Sequence, residues 1–129
     1  MASITEHIPL AADADTVWAA VRDVGRPHLL FPGVLTDARL EGDERVVTFA
    51  DGTVVRERIV TVDDRARRFA YAVVDGPFLH HSASFAVTAE ADGTSTLTWV
   101  TDLLPEEAAP MVGELMGHGA AAATAALGC

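Results

Sequence analysis

The sequence predicts an α+β fold in which an antiparallel sheet curves around one long C-terminal helix. Three observations predict it. After a short early helix pattern, about six strand patterns follow one another with brief turns between them, which is how an antiparallel meander reads. The chain closes on a helical pattern from Pro105 to Leu127 that places Met111, Leu115, His118, Ala122 and Ala126 on one face, expected to be the buried one. That helix is rich in Ala and Gly, so its backbone can approach a sheet closely, and a sheet curved around it leaves part of its concave face unfilled. An internal cavity for a small molecule is the expected result.

The elements follow in order. Ser3 to Leu10 reads as a first strand. Asp13 is placed to cap a helix over Ala14 to Arg22, with Val17, Trp18 and Val21 on its apolar face and Gly25 ending it. The two prolines of Arg26–Gly33 make a loop or a short turn of helix. Strands are expected at Val34–Leu40 and Arg45–Phe49, with a turn at Glu41-Gly42-Asp43. Asp51-Gly52 is the strongest hairpin signal, because Gly accepts positive φ. Further strands are expected at Thr53–Val62, Arg68–Val74, Ser82–Glu90 and Thr94–Asp102.

Side chains along a strand alternate between faces, so the pattern assigns an inner surface. Val55, Glu57 and Ile59 fall opposite Arg56 and Arg58. Phe69, Tyr71 and Val73 share a face, as do His81, Ala83, Phe85 and Val87, and then Ser95, Leu97, Trp99 and Thr101. The inner face is aromatic and aliphatic with a few isolated polar groups, the usual composition of a ligand pocket.

Composition narrows the function. The 129 residues are expected to form one domain, residues 1–129, and half of them are hydrophobic. Nine basic against nineteen acidic side chains give a net charge of −10, which repels nucleic acid and anionic membranes. Arg65, Arg67 and Arg68 are read as a solvated turn. All nine basic residues are Arg, so Schiff-base chemistry through a lysine is excluded. The only cysteine, Cys129, ends the sequence, so no intrachain disulfide forms and no catalytic role is expected of it. No signal-peptide pattern and no apolar stretch long enough to span a bilayer is seen, so a cytoplasmic location without membrane insertion is expected.

Several segments together resemble a known family: Ala-Asp-Thr-Val-Trp at 14–18, Phe-Pro-Gly-Val at 31–34, Asp-Gly-Thr-Val-Val-Arg-Glu-Arg at 51–58, Phe-Ala-Tyr at 69–71, Asp-Gly-Pro at 75–77, Thr-Leu-Thr-Trp at 96–99, and the closing helix. The chain resembles the START/Bet v 1-like (SRPBCC) superfamily, in its bacterial polyketide cyclase/dehydrase and lipid-transport branch. The resemblance implies a helix-grip fold, a seven-stranded antiparallel sheet around the C-terminal helix with two short helices near 14–22 and 26–30. It also implies lipid, hormone or polyketide ligands. Glu57 matches a position where these members often carry an inward Glu; His81 stands where many have Tyr, and Phe31 where Trp is common.

Four residues are candidates for chemistry. Glu57 on an apolar face is either a general acid or base with a raised pKa or a structural acid paired with an arginine or a Trp N–H. His81, inward by alternation, and His118, inward by helical spacing, are proton carriers or hydrogen-bonded core histidines. Tyr71 could donate to an oxyanion. Val55, Ile59, Phe69, Val73, Phe78, Phe85, Trp99, Met111 and Leu115 are the expected ligand-binding residues. No metal and no cofactor are expected: His80 and His81 point to opposite faces, and no zinc spacing or Gly-rich phosphate loop exists. Pro77, Phe78 and Leu79 in the Asp75–His80 loop are read as part of a portal with Asp51-Gly52 and the Asp102–Pro105 turn. The expected function is binding of a hydrophobic, aromatic or polyketide-like molecule by a monomer or weak homodimer. Cofactor-free cyclisation or dehydration is the enzymatic version, and a non-catalytic carrier or sensor of lipid-like ligands is the alternative.

Overall fold

A computed structural model describes residues 1–128; Cys129 lies outside them. Seven strands run β1 (Ala2–Leu10), β2 (Leu35–Glu41), β3 (Glu44–Phe49), β4 (Val54–Asp63), β5 (Arg68–Val73), β6 (His80–Ala89) and β7 (Ser95–Leu104). Helices α1 (Ala14–Val21) and α2 (Pro27–Leu30) lie between β1 and β2, and α3 (Ala109–Leu127) closes the chain after a 3₁₀ turn at Glu106–Ala108. The strands form one antiparallel sheet in the order β1-β7-β6-β5-β4-β3-β2. β1 and β2 are therefore its two edges, and α1 and α2 carry the chain between them. Among the described residues no helix is long and apolar enough to cross a membrane.

Local chemistry explains the helix starts. Asp13 caps α1 by accepting the Thr16 N–H at 2.8 Å. Trp18 Nε1 and Arg22 Nε both donate to Asp64 in the β4–β5 turn, at 2.9 and 2.8 Å, which fixes α1 across the sheet. Arg67, in that same turn, pairs with Asp15 at 2.6 Å. The expected strand faces hold throughout: Glu57, Phe69, Tyr71, Ala83, Phe85, Val87, Ser95, Leu97 and Thr101 are all buried, and Arg58 is exposed. A register shift between Ile59 and Thr61 returns Val62 to the inner face.

The buried face of α3 differs from the expectation by one residue. Val112, Met116, Gly119 and Ala123 are buried, whereas Met111 and Leu115 are 61% and 39% exposed and His118 and Ala126 are exposed; Ala122 is half-buried against the core. One residue turns a helix by about 100°, and in a segment of Ala and Gly neighbouring stripes look alike in hydropathy. Close approach decides between them. A Cβ on Gly119 would lie 2.7 Å from Trp99 Cζ3, so only glycine lets the helix backbone rest on that indole. Val112 and Met116 pack on Leu103 with Ile4, and Ala123 joins the main core with Val17, Trp18 and Leu97.

Candidate functional site

Between the first half of α3 and the concave sheet lies a cavity of about 610 Å³. Arg45, Val47 and Phe49 of β3 and Val55 and Glu57 of β4 form one wall. Tyr71 and Val73 of β5, His81 and Phe85 of β6, and Trp99 and Thr101 of β7 continue it around the curve. The helix contributes Met111, Val112, Glu114, Leu115, Met116, His118 and Gly119. The stripe expected to be core thus meets the cavity: Met111, Leu115 and His118 stand on its wall, beside the stripe that packs on the sheet. Phe31 enters from the end of α2, with its ring 5.3 Å from Trp99 and 5.9 Å from Phe85. Phe85 and Trp99 stack at 5.0 Å, so the deep end is a continuous aromatic surface.

Two expected ligand contacts lie elsewhere. Phe69 is 1% exposed and stacks behind Phe85 in the core, and Ile59 packs into the same core rather than on the cavity wall. Both are on the inner face, but the sheet has closed on α1 and α2 at that end. At the mouth, Asp51, Thr53 and Val54 face the loop 75–78 and the first turns of α3. The Asp102–Pro105 turn, expected as a third part of the portal, does not line the cavity; it anchors the loop instead, through Leu79 N–H donating to Leu104 O at 3.0 Å.

Glu57 is paired with an arginine, and the residue that the sequence left unnamed is Arg45. Arg45 Nε donates to Glu57 Oε1 at 2.7 Å, and both side chains are more than nine-tenths buried. Arg45 Nη1 donates to Val24 O at 3.1 Å, and its guanidinium lies 5.0 Å from the centroids of both Phe69 and Tyr71. Counting equal steps outward from Asp51 and Gly52 sets residue 45 opposite residue 58; the turn holds three residues, with Phe49 N–H donating to Thr53 O at 2.8 Å, and this sets residue 45 opposite residue 57. Burial pushes the Glu57 carboxyl above the ordinary carboxylate range; the Arg45 charge opposes this and the Asp75 charge adds to it. Oε2 accepts no hydrogen bond among the described residues.

The other candidates do not converge on Glu57. Burial, then the Glu57 charge, drives the Tyr71 hydroxyl far up, against the opposing Arg45 charge, so it stays protonated. The Trp99 indole N–H lies close enough to temper that shift, yet it completes no hydrogen bond. His81 is pushed down by burial and by its neighbour His80, its Nδ1 is covered and unpartnered, and its ring meets Phe78 edge-on at 4.7 Å. His118 is exposed on α3. Among the described residues no hydrogen bond joins any two of Glu57, Tyr71, His81 and His118, and no group of three or more His, Cys, Asp or Glu could hold a metal ion.

Comparison with known proteins agrees with this architecture. The sequence model of a family described as polyketide cyclase / dehydrase and lipid transport matches residues 1–128. No curated protein matches in sequence. Among solved structures, a protein from Bacillus cereus superimposes with a TM-score of 0.88 at 20% identity, covering 98% of this chain and 96% of that one. A START superfamily protein from Mycobacterium smegmatis gives 0.78 at 16%, covering 97% and 96%. Norcoclaurine synthase from Thalictrum flavum, solved in complex with dopamine and hydroxybenzaldehyde, gives 0.72 at 20%, covering 96% and 82%.

Proposed function

Because the chain belongs to the polyketide cyclase / dehydrase and lipid transport family, we propose that it binds a flat, hydrophobic small molecule inside the helix-grip cavity. The observation that carries this reading is the cavity itself: about 610 Å³, walled mainly by aliphatic and aromatic side chains, with its buried Arg45 and Glu57 charges paired to each other. A ligand there gains apolar burial and ring stacking without having to displace a bound charge. Pocket polarity without a convergent catalytic set favours a carrier over an enzyme. An apolar fluorophore should bind at micromolar concentration, on the order of −8 kcal/mol, and quench Trp99. Leu115→Trp, which projects an indole into the cavity from α3, should abolish binding with the helical content unchanged. Undiminished binding to that variant would move the ligand site elsewhere.

One observation favours a second, catalytic reading. Glu57 lines the cavity with a raised carboxyl pKa and one oxygen free of any partner among the described residues. In a cofactor-free cyclisation or dehydration, that oxygen would take the proton from a carbon beside a carbonyl, leaving the electron pair in an enolate. The Tyr71 O–H would donate to the enolate oxygen, and His81 or His118 would return a proton to a departing oxygen. With a substrate in hand, Glu57→Ala and His81→Ala should each lower the rate by roughly two to four orders of magnitude and change affinity little. Wild-type rates in both variants would leave the carrier.

A further inference from the structure

The wall of the cavity carries more carboxylates than guanidinium groups. Among the described residues, the single arginine on its wall is Arg45, beside the histidines His81 and His118, and that guanidinium is held by Glu57 at 2.7 Å and Val24 O at 3.1 Å beneath two aromatic rings. It is not free to receive a carboxylate or phosphate. Three further carboxylates stand on the wall toward the mouth: Asp51 on the β3–β4 turn, Asp75 after β5, and Glu114 on α3. All three are exposed, and none forms an ion pair within the described residues. Asp51 and Asp75 each accept only a backbone N–H, from Thr53 and Arg56. They come from three separate elements and face one opening, whose interior is aromatic.

We propose that the preferred ligand is an amphipathic aromatic amine, with its rings against Phe85 and Trp99 and its ammonium group at the mouth between Asp51, Asp75 and Glu114. This rests on the binding function proposed above and narrows it: free fatty acids and other anionic lipids are disfavoured ligands. Low-dielectric walls focus the field of charges at a cleft mouth. The Asp75 charge is felt as deep as Glu57, whose carboxyl it helps to raise.

Three probes with one ring system test the inference: 9-aminomethylanthracene, 9-anthracenemethanol and 9-anthracenecarboxylate, titrated calorimetrically near neutral pH at low ionic strength. The expected order is ammonium, then alcohol, then carboxylate, with on the order of tenfold between ammonium and carboxylate. That ratio should shrink severalfold in about 0.5 M NaCl, and also in Asp51→Asn/Asp75→Asn/Glu114→Gln, whose amides keep acceptors for the turn N–H groups. Glu114→Gln alone, which disturbs no turn, should shrink it in part. Alcohol binding with the carboxylate equal to or tighter than the ammonium overturns the charge selectivity and leaves the cavity function standing. Failure of all three probes to bind overturns both. A ratio unchanged in Glu114→Gln and in the triple variant, each folded by circular dichroism, removes these carboxylates as its source.

Discussion

At the scale of single residues, Arg45 and Glu57 carry the largest electrostatic stake in the molecule. A raised Glu57 carboxyl means that the ion pair does not fully repay the burial of its charge. Two outcomes follow from that. Arg45→Met strands a buried carboxylate and should destabilise the fold by about 3–5 kcal/mol near neutral pH, whereas Arg45→Met/Glu57→Met should recover most of the loss; urea unfolding of the three proteins measures both. The pH dependence has a definite sign. Folded Glu57 binds its proton more tightly than unfolded Glu57 does, so its contribution is fully present below the ordinary value of 4.5 and is lost as pH rises through the raised folded value. The stability of wild type relative to Glu57→Gln should therefore fall as pH increases above 4.5 and then level off. A relative stability that rises over that window would show that the Arg45 attraction outweighs burial. Of the residues considered for chemistry, Glu57 was visible because an acid interrupts an apolar alternation. Arg45 was not, because a charged residue at the start of a strand reads as the end of a solvated turn until cross-strand register is taken into account.

At the scale of elements, α3 does two jobs with adjacent stripes, and its glycines separate them. Gly119 lies against the Trp99 indole, and a methyl group there must push the ring away. Gly117, two residues earlier, would place its Cβ with nothing within 4 Å. The same chemical change should therefore have opposite signs. Gly117→Ala should stabilise by up to about 1 kcal/mol through helix propensity. Gly119→Ala should destabilise by about 1–3 kcal/mol through overpacking and shift Trp99 emission. Chemical denaturation with fluorescence detection reads both, and equal signs would refute the assigned helix face. Strand faces were legible in the sequence because strict alternation flips every side chain together, and the large residues Phe69, Tyr71, Phe85, Leu97 and Trp99 mark one side. The face of α3 was legible only to within one residue. Ala and Gly fill both stripes, and Met111 and Leu115, two of the large apolar side chains in its first half, serve the cavity wall rather than the packed core. Strand ends were likewise approximate: β6 begins at His80 and β7 runs to Leu104, beyond the polar residues that seemed to bound them.

At the scale of the whole molecule, sheet and helix meet closely at one end and part at the other. Leu97, Val17 and Ala123 seal the end beneath α1, while the opposite end holds a cavity of about 610 Å³. The strand pattern and the small-residue helix made such a space foreseeable, but not its extent, since that depends on how far the first half of α3 stands off β3 and β4. A fold arranged this way forgoes packing contacts that an occupant can restore, so binding and stability are linked. A ligand that binds only the folded state at one hundred times its Kd should add about 2.7 kcal/mol of stability. For a chain of this size that corresponds to a rise in Tm of roughly 5–15 °C. The aminomethylanthracene probe should produce such a rise in the wild type, increasing with the logarithm of its concentration. Leu115→Trp should melt near the unliganded wild type and show no ligand-dependent rise, because its indole occupies the space the ring would take. Differential scanning calorimetry across a concentration series decides the matter. A concentration-dependent rise of equal size in Leu115→Trp would place the stabilising ligand on the outer surface, and the cavity would then not be the site that couples binding to folding.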